Sequence, residues 1–222
     1  YAAFLQGKDN HSCGGFLVAP AWVMTAAQCL QHKPLTVMLG AQSPQRREGS
    51  WQSFQVKEGR GIPGQTLISV FSPLFLSFCL CVFCALAQLH GNASSNGHVR
   101  PISLEKSKIR GGAECSLAGW GDRTATVTIT RQRDCLNHYP GLADNLICGQ
   151  SRSSKVPGKV SVLREGRFEL GQSAEERILV DAGGPLVCNN KAFGIFSYRH
   201  NHWPGFYTHI APYLPWAHSV MK

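Results

Sequence analysis

The 222-residue chain carries 22 Lys and Arg against 13 Asp and Glu, a net charge of +9, and 43% of its residues are hydrophobic while 16% are charged. This composition excludes collagen, low-complexity tails and most disordered chains. The length suits one or two globular domains, which can bury roughly 70% of the surface that the unfolded chain exposes. The nine cysteines favour an oxidising compartment, and their odd number leaves at least one thiol over.

Two glycosylation sequons agree with an oxidising, secretory environment. One begins at Asn10 and reads Asn-His-Ser, and the other begins at Asn92 and reads Asn-Ala-Ser. Sequons of this kind are glycosylated on surface loops of secreted proteins. Together with the cysteine content, they predict a protein that is secreted or stored in a secretory granule.

Short apolar runs bounded by turn residues dominate the chain and predict an antiparallel β architecture. In chain order, the predicted strands are 15–20, 22–27, 35–39, 116–118, 185–188 and 193–198. The last stretch, 210–222, predicts a terminal helix. The long amphipathic helical patterns of α/β proteins are missing, so an all-β fold is predicted.

Two stretches interrupt this pattern. Residues 66–89 carry no charge across 24 positions, which would suit a membrane span. Because a span would leave strand edges unsatisfied, we do not expect one; we favour a segment foreign to the fold, such as translated intron sequence, over a buried strand. Residues 151–180 are polar and charged without a clear period and predict a surface loop or a disordered insertion.

Four motifs occur in a fixed order, namely CGGFLVAPAWVMTAAQC at 13–29, AGWG at 118–121, DAGGPLVC at 181–188 and PGFYTHIAPYLPW at 204–216. Together they resemble the trypsin-like serine proteases, and most closely the branch with the granzymes, cathepsin G, the chymases and azurocidin. The resemblance implies a single domain of two antiparallel six-stranded β-barrels, over roughly 1–105 and 106–222, and a C-terminal helix. Residues 66–89 replace or flank strands of the first barrel, so one expectation is that this barrel is disrupted.

The resemblance also implies three disulfides, namely Cys13–Cys29, Cys115–Cys188 and Cys135–Cys148. The number of cysteines alone does not choose among the possible pairings. The three cysteines left over all lie in the apolar stretch, at Cys79, Cys81 and Cys84. They lie in an apolar run without neighbouring polar ligands, so we predict neither a metal site nor a cofactor.

Two positions to which the resemblance assigns catalysis hold unreactive residues. Where the family has the base of TAAHC, this chain has Gln28, whose amide cannot act as a general base near neutral pH. Where the family has the nucleophile of GDSGGP, this chain has Ala182, whose methyl group cannot form an acyl-enzyme.

The carboxylate and the oxyanion glycine are predicted to be missing as well. The carboxylate position falls on Phe83 or Cys84, and no Asp or Glu occurs between Glu58 and Glu105. The first oxyanion glycine is replaced by Val180, whose β-branched side chain disfavours a positive φ. Loss of the whole triad together with this glycine predicts an inactive protein.

Other candidate residues favour structural interpretations. Glu176 and Ser197 fall where the family builds its specificity pocket, but Glu176 lies in a run of charges and Ser197 has no base nearby. A solvated charge and a structural hydroxyl are therefore predicted. The cluster of His200, His202 and His209 has no Cys or carboxylate close to it, so surface histidines are predicted and not metal ligands.

The function predicted from these residues is that of a non-catalytic, monomeric serine protease homologue. Basic residues are spread along the chain, and with the net charge of +9 they indicate sulfated glycans or anionic microbial surfaces as partners. No sequence motif indicates nucleic-acid binding. The alternatives are a serine-type endopeptidase, as the resemblance alone would imply, and the product of a decayed or mispredicted gene.

Overall fold

The computed structural model describes residues 1–8, 11–40, 51–63, 84–118, 124–140, 142–151, 182–199 and 205–222. Twelve strands in these residues form two closed antiparallel barrels. The predicted all-β class and the two six-stranded barrels are confirmed. Closure leaves neither barrel with an exposed sheet edge.

The first barrel has the strand order β1-β2-β3-β6-β5-β4. Its strands are β1 Ala2–Gly7, β2 Ser12–Ala19, β3 Trp22–Ala26, β4 Leu35–Leu39, β5 Gln52–Gly61 and β6 Cys84–Leu89. A 3₁₀ helix, Ala27–Gln31, follows β3. The expectation of a disrupted first barrel is wrong, because the end of the apolar stretch supplies β6, in which Ala85 pairs with Thr25 of β3 and with Gly61 of β5.

The second barrel has the strand order β10-β11-β12-β9-β8-β7. Its strands are β7 Glu114–Ala118, β8 Thr124–Ile129, β9 Leu146–Ser151, β10 Pro185–Cys188, β11 Lys191–Arg199 and β12 Gly205–His209. Asn189 and Asn190, with φ of 49° and 60°, form the tight turn between β10 and β11. Asn tolerates this left-handed backbone better than most residues do, which explains its use at a two-residue hairpin turn.

Two short α-helices complete the described fold. α1, Gln132–His138, lies between β8 and β9, and α2, Leu214–Val220, ends the chain. The terminal helix predicted over 210–222 is shorter than expected and is preceded by a 3₁₀ turn, Ala211–Tyr213. Pro212 and Pro215 lie in the first turns of these elements, where a missing backbone N–H costs little.

Three disulfides tie these elements together, in the pairs that the resemblance implies. Cys13–Cys29 joins β2 to the 3₁₀ helix after β3, while the other two join β7 to β10 and α1 to β9, through Cys115–Cys188 and Cys135–Cys148. Cys84 is a free, buried thiol. Cys79 and Cys81 lie outside the described residues.

Several predictions concern residues that the structure does not describe. Most of the apolar stretch and almost all of the polar insertion fall there, over 64–83 and 152–180. Within the part of the chain that is described, no helix has the length and hydropathy needed to cross a membrane. The proposed boundary between subdomains near residue 105 stays a prediction; the described strands on either side of it end at Leu89 and begin at Glu114.

Candidate functional site

The segment that leads into β10 lies against the first barrel. The backbone N–H of Gly14 in β2 donates a hydrogen bond of 3.0 Å to the carbonyl oxygen of Ala182. The Sγ atom of Cys29 lies 3.4 Å from the same oxygen, and Ala182 packs against the hydrophobic cluster that joins the core of the first barrel to β10 and β11. Residue 182 is therefore held at the junction of the two barrels by contacts made through its backbone.

Gly183 makes this close approach possible. Its φ is +101°, and a Cβ atom on it would meet Gly14 O and Thr25 Oγ1 and would lie 3.0 Å from Ala26 N. Only a glycine fits both the backbone conformation and the space. The N–H of Gly183 also donates to Phe196 O of β11 at 2.9 Å, so the residue is fixed from both barrels.

Gln28 lies in the 3₁₀ helix that begins directly after Ala26. The helix is anchored by the Cys13–Cys29 disulfide, and Gln28 itself is half-buried. The structure thus brings the helix that carries Gln28 and the segment that carries Ala182 to one junction. The amide of Gln28 can donate and accept hydrogen bonds but cannot take up a proton at neutral pH. The methyl group of Ala182 can neither form hydrogen bonds nor take up a proton.

Cys84 supplies the only free thiol that the described residues contain, and it lies close to the same junction. It begins β6 and pairs with Ala26 of β3. The side chain is fully buried, and this burial raises the pKa of the Cys84 thiol to about 12. The thiol is therefore protonated at neutral pH and offers no thiolate nucleophile.

Ser197 lies in β11 and is 1% exposed. Its hydroxyl oxygen is 2.6 Å from Thr208 Oγ1 of β12 and also donates to Ile195 O at 3.3 Å. A buried hydroxyl with these partners is typical of a structural cross-strand contact. The other position predicted for a specificity pocket, Glu176, lies outside the described residues, as do Phe83, Val180 and Asn10.

The prediction that His209 is a surface histidine is wrong. This last residue of β12 is 6% exposed. The segment between the barrels, residues 104–112, covers it and places Ser107 O 3.4 Å from its Nε2. Burial lowers the pKa of His209, and the positive charge of Lys108 lowers it further. His200 and His202 are not described.

A metal site needs clustered ligand side chains, and a glycosylation site needs an exposed asparagine. Across the ranges that the structure covers, no three His, Cys, Asp or Glu side chains gather where they could hold a metal ion. Asn92 is exposed in the segment after β6, as a glycosylation site must be. Its modification stays a prediction.

Sequence reasoning missed Gly14 and Thr25 as part of this site. Thr25 Oγ1 donates to Gly14 O at 2.6 Å, so β3 holds the carbonyl group of the residue whose N–H bonds to Ala182. Both residues lie inside quoted motifs, CGG and TAA. The paired glycines of CGG and DAGG were the available signal, since glycine marks places where two backbones approach closely.

Comparison with known proteins agrees with this geometry. A family model described as Trypsin matches residues 1–217. Human granzyme H is 33% identical and human cathepsin G 29% identical, each aligned over 100% of this chain and over 85% and 82% of their own lengths. The solved structure of neuropsin, a serine protease expressed in the limbic system of mouse brain, superposes with a TM-score of 0.74 at 26% identity, covering 100% of this chain and 94% of neuropsin.

Proposed function

Because this chain belongs to the trypsin family of serine proteases, we propose that it is a non-catalytic member of the granzyme type, which acts by binding. One observation carries the proposal: the junction of the barrels brings together Ala182 and the helix of Gln28. Acyl transfer requires a nucleophile whose proton passes to a neighbouring base. A methyl group and an amide supply neither of these groups.

The remaining catalytic groups support the same proposal. The sequence has no carboxylate between Glu58 and Glu105, the span that contains β6. Without a carboxylate, an imidazole at position 28 would lack the group that orients it. Val180 stands where the resemblance places an oxyanion glycine, and its β-branched side chain disfavours a positive φ.

A serine-type endopeptidase is the second candidate, and its support is the likeness to granzyme H and cathepsin G. Proteolysis would require a serine other than the residue at position 182. Ser197 is a poor choice, because its hydroxyl is buried and bonded to Thr208 Oγ1. Its pairing argues for a structural role in β11 and β12.

Labelling with a fluorophosphonate separates the two candidates, because the reagent forms a covalent bond with an activated serine. We expect no labelled peptide after digestion, under conditions in which human granzyme H is labelled. The Ala182→Ser variant is the matched control, and we expect it to stay unlabelled because a hydroxyl without a base is not activated. Labelling of any serine, if it tracks with peptide hydrolysis, would overturn the proposal.

The binding activity that we propose is cationic, and it suits a secreted or granule-stored monomer. A net charge of +9 attracts polyanions, so sulfated glycans or anionic microbial surfaces are the proposed partners. The test is retention on a heparin column in a salt gradient. We expect elution above the physiological ionic strength of about 0.15 M, and elution at or below it would contradict the binding proposal.

A further inference from the structure

The segment between the two barrels is fixed on the second barrel at both ends. At its start, Glu105 N donates to Ala192 O at 3.0 Å, while Leu104 forms a parallel bridge with Ala192. At its end, Gly112 N donates to Ile129 O at 2.7 Å. Between these points, Ile109 packs against the core of the second barrel. The segment is therefore pre-organised and does not have to be ordered when a ligand binds.

Exposed cations occupy every second position of this segment. Lys106, Lys108 and Arg110 are all exposed, whereas Ile109 between the last two is half-buried. Ser107, between the first two, is also exposed and lies at a bend of the chain. The three cations therefore form a row along five consecutive residues at the surface.

A second pair of cations lies beside the end of this row. The turn at Gly111 and Gly112 rests on Arg131, so that a Cβ atom on Gly111 would stand 2.5 Å from Arg131 Cγ and 2.8 Å from its Cα. Gly112 has a φ of +87°, the conformation that lets the turn fold back over β8. Arg131 precedes α1, and Arg133 lies in the first turn of α1; both are exposed.

The nearest acidic residue in sequence does not neutralise the row. Glu105 Oε1 accepts hydrogen bonds from the backbone N–H groups of Lys106 and Ser107, at 2.8 Å and 3.0 Å. Its other oxygen, Oε2, pairs with Lys191 Nζ at 3.0 Å. Both carboxylate oxygens are therefore occupied in holding the start of the segment.

We propose that a linear sulfated glycan binds across these five exposed cations, which we call the linker patch: Lys106, Lys108, Arg110, Arg131 and Arg133. The proposal rests on the cationic binding function and assigns it to one surface. Asp134 is the one other carboxylate within residues 105–112 and 131–134, so after the pairing of Glu105 with Lys191 this surface has a net charge of +4. A row of fixed cations is complementary to a polymer with repeated sulfates.

The same residues argue against two other polyanions. Residues 105–112 and 131–134 contain no aromatic side chain on which a nucleic-acid base could stack. They also contain no exposed large apolar side chain that could enter a bilayer, since Ile109 is turned towards the core. Sulfate recognition needs only the charges, which this surface supplies.

The test compares two triple variants of equal net charge on a heparin surface. The patch variant is Lys106→Gln/Lys108→Gln/Arg110→Gln, and the control is Lys8→Gln/Lys33→Gln/Lys57→Gln, whose lysines are exposed on the first barrel. At about fivefold in affinity for each cation near a polyanionic surface, the patch variant should bind about 100-fold more weakly at low salt. The control variant should bind heparin less than about 10-fold more weakly than the wild-type protein. Thermal unfolding of both variants checks that they are folded.

The outcomes separate this inference from the binding function on which it rests. If the wild-type protein binds heparin and both variants weaken equally, the charge is diffuse and the linker patch is overturned while the binding function stands. If the wild-type protein elutes at or below physiological salt, both fail. A second variant, Arg131→Gln/Arg133→Gln, should weaken binding independently. Tighter wild-type binding to a single-stranded oligonucleotide or to phosphatidylserine vesicles than to heparin would overturn the assignment to a glycan.

Discussion

The backbone N–H of Gly14 donates a hydrogen bond of 3.0 Å to the carbonyl oxygen of Ala182, and this bond joins β2 of the first barrel to the entry of β10 in the second. Both bonding groups belong to the main chain. The position of residue 182 therefore does not depend on its side chain. This explains how the chain can keep the arrangement of its family around a residue that carries no reactive atom.

Gly183→Ala should destabilise the protein by about 2–4 kcal/mol, because it adds both a Cβ collision and backbone strain. Its φ is +101°, and the new methyl group would meet Gly14 O and Thr25 Oγ1. Urea unfolding measures the change. Two controls separate the causes: Gly112→Ala, with φ +87° but open space, should cost about 1 kcal/mol. Gly97→Ala, also in open space, should change stability by less than about 0.5 kcal/mol. Equal effects at all three positions would contradict this account.

The buried contact between Ser197 and Thr208 should contribute to the stability of the second barrel. Their hydroxyl oxygens lie 2.6 Å apart, and both residues are 1% exposed. A double-mutant cycle with Ser197→Ala and Thr208→Val should give a coupling energy of about 1 kcal/mol. Additive effects would mean that the two hydroxyls do not interact. If Ser197 instead activated a bond-breaking step, Ser197→Ala would abolish hydrolysis with no loss of stability.

Glu105 should make stability depend on pH in the acid range. Lys191 and the backbone N–H groups of Ser107 and Lys106 lower the pKa of Glu105 from 4.5 to about 2. The folded state thus favours the ionised carboxylate, so the contribution is complete above pH 4.5 and is lost as the pH falls towards 2.

Thermal melting of the wild-type protein and of Glu105→Gln checks this dependence. The difference in Tm should be largest near neutral pH and should close as the pH falls below about 4. Glu58→Gln is the control, since Glu58 pairs with the half-exposed Arg60 two residues along β5 and should matter less. A difference for Glu105→Gln that does not change with pH would refute the assignment.

Cys84 should resist alkylation in the folded protein. Its thiol is buried in β6, and burial raises its pKa to about 12, so both access and thiolate formation are suppressed. Iodoacetamide near pH 8 should leave Cys84 unmodified in the native state and should modify it fully in denaturant, as read at Cys84 itself by fragmentation of its peptide. Rapid native modification would show that β6 does not close the first barrel.

The strands that could be predicted from the sequence are those with continuous apolar runs. β3, β4 and β10 were placed within one residue at each end, because their side chains are buried and flanked by turn residues. β5 could not be found in this way. All of its residues are half-buried or exposed, and it is held in the barrel by pairing with β4 and β6.

The candidate site was predictable only where motifs carry it. Gln28 and Ala182 could be located from TAAQC and DAGG, whereas the burial of His209 could not be predicted. That burial arises because the segment around Ser107 covers the end of β12, a contact between distant parts of the chain. The linker patch was missed for a similar reason, since Arg110 and Arg131 become neighbours only when the Gly111 turn folds over β8.

The measurement that tests the central claim most directly is hydrolysis of a mixed peptide library by the purified, disulfide-bonded protein, with human granzyme H as the positive control. We predict no cleavage above the uncatalysed background for the wild-type protein. We expect only weak cleavage, far below that of granzyme H, for Gln28→His/Ala182→Ser, because the restored pair lacks a carboxylate to orient the imidazole and has Val180 in place of the oxyanion glycine. Sequence-specific cleavage by the wild-type protein, at a rate proportional to its concentration and lost on serine-directed inhibition, would contradict the claim that this chain is non-catalytic.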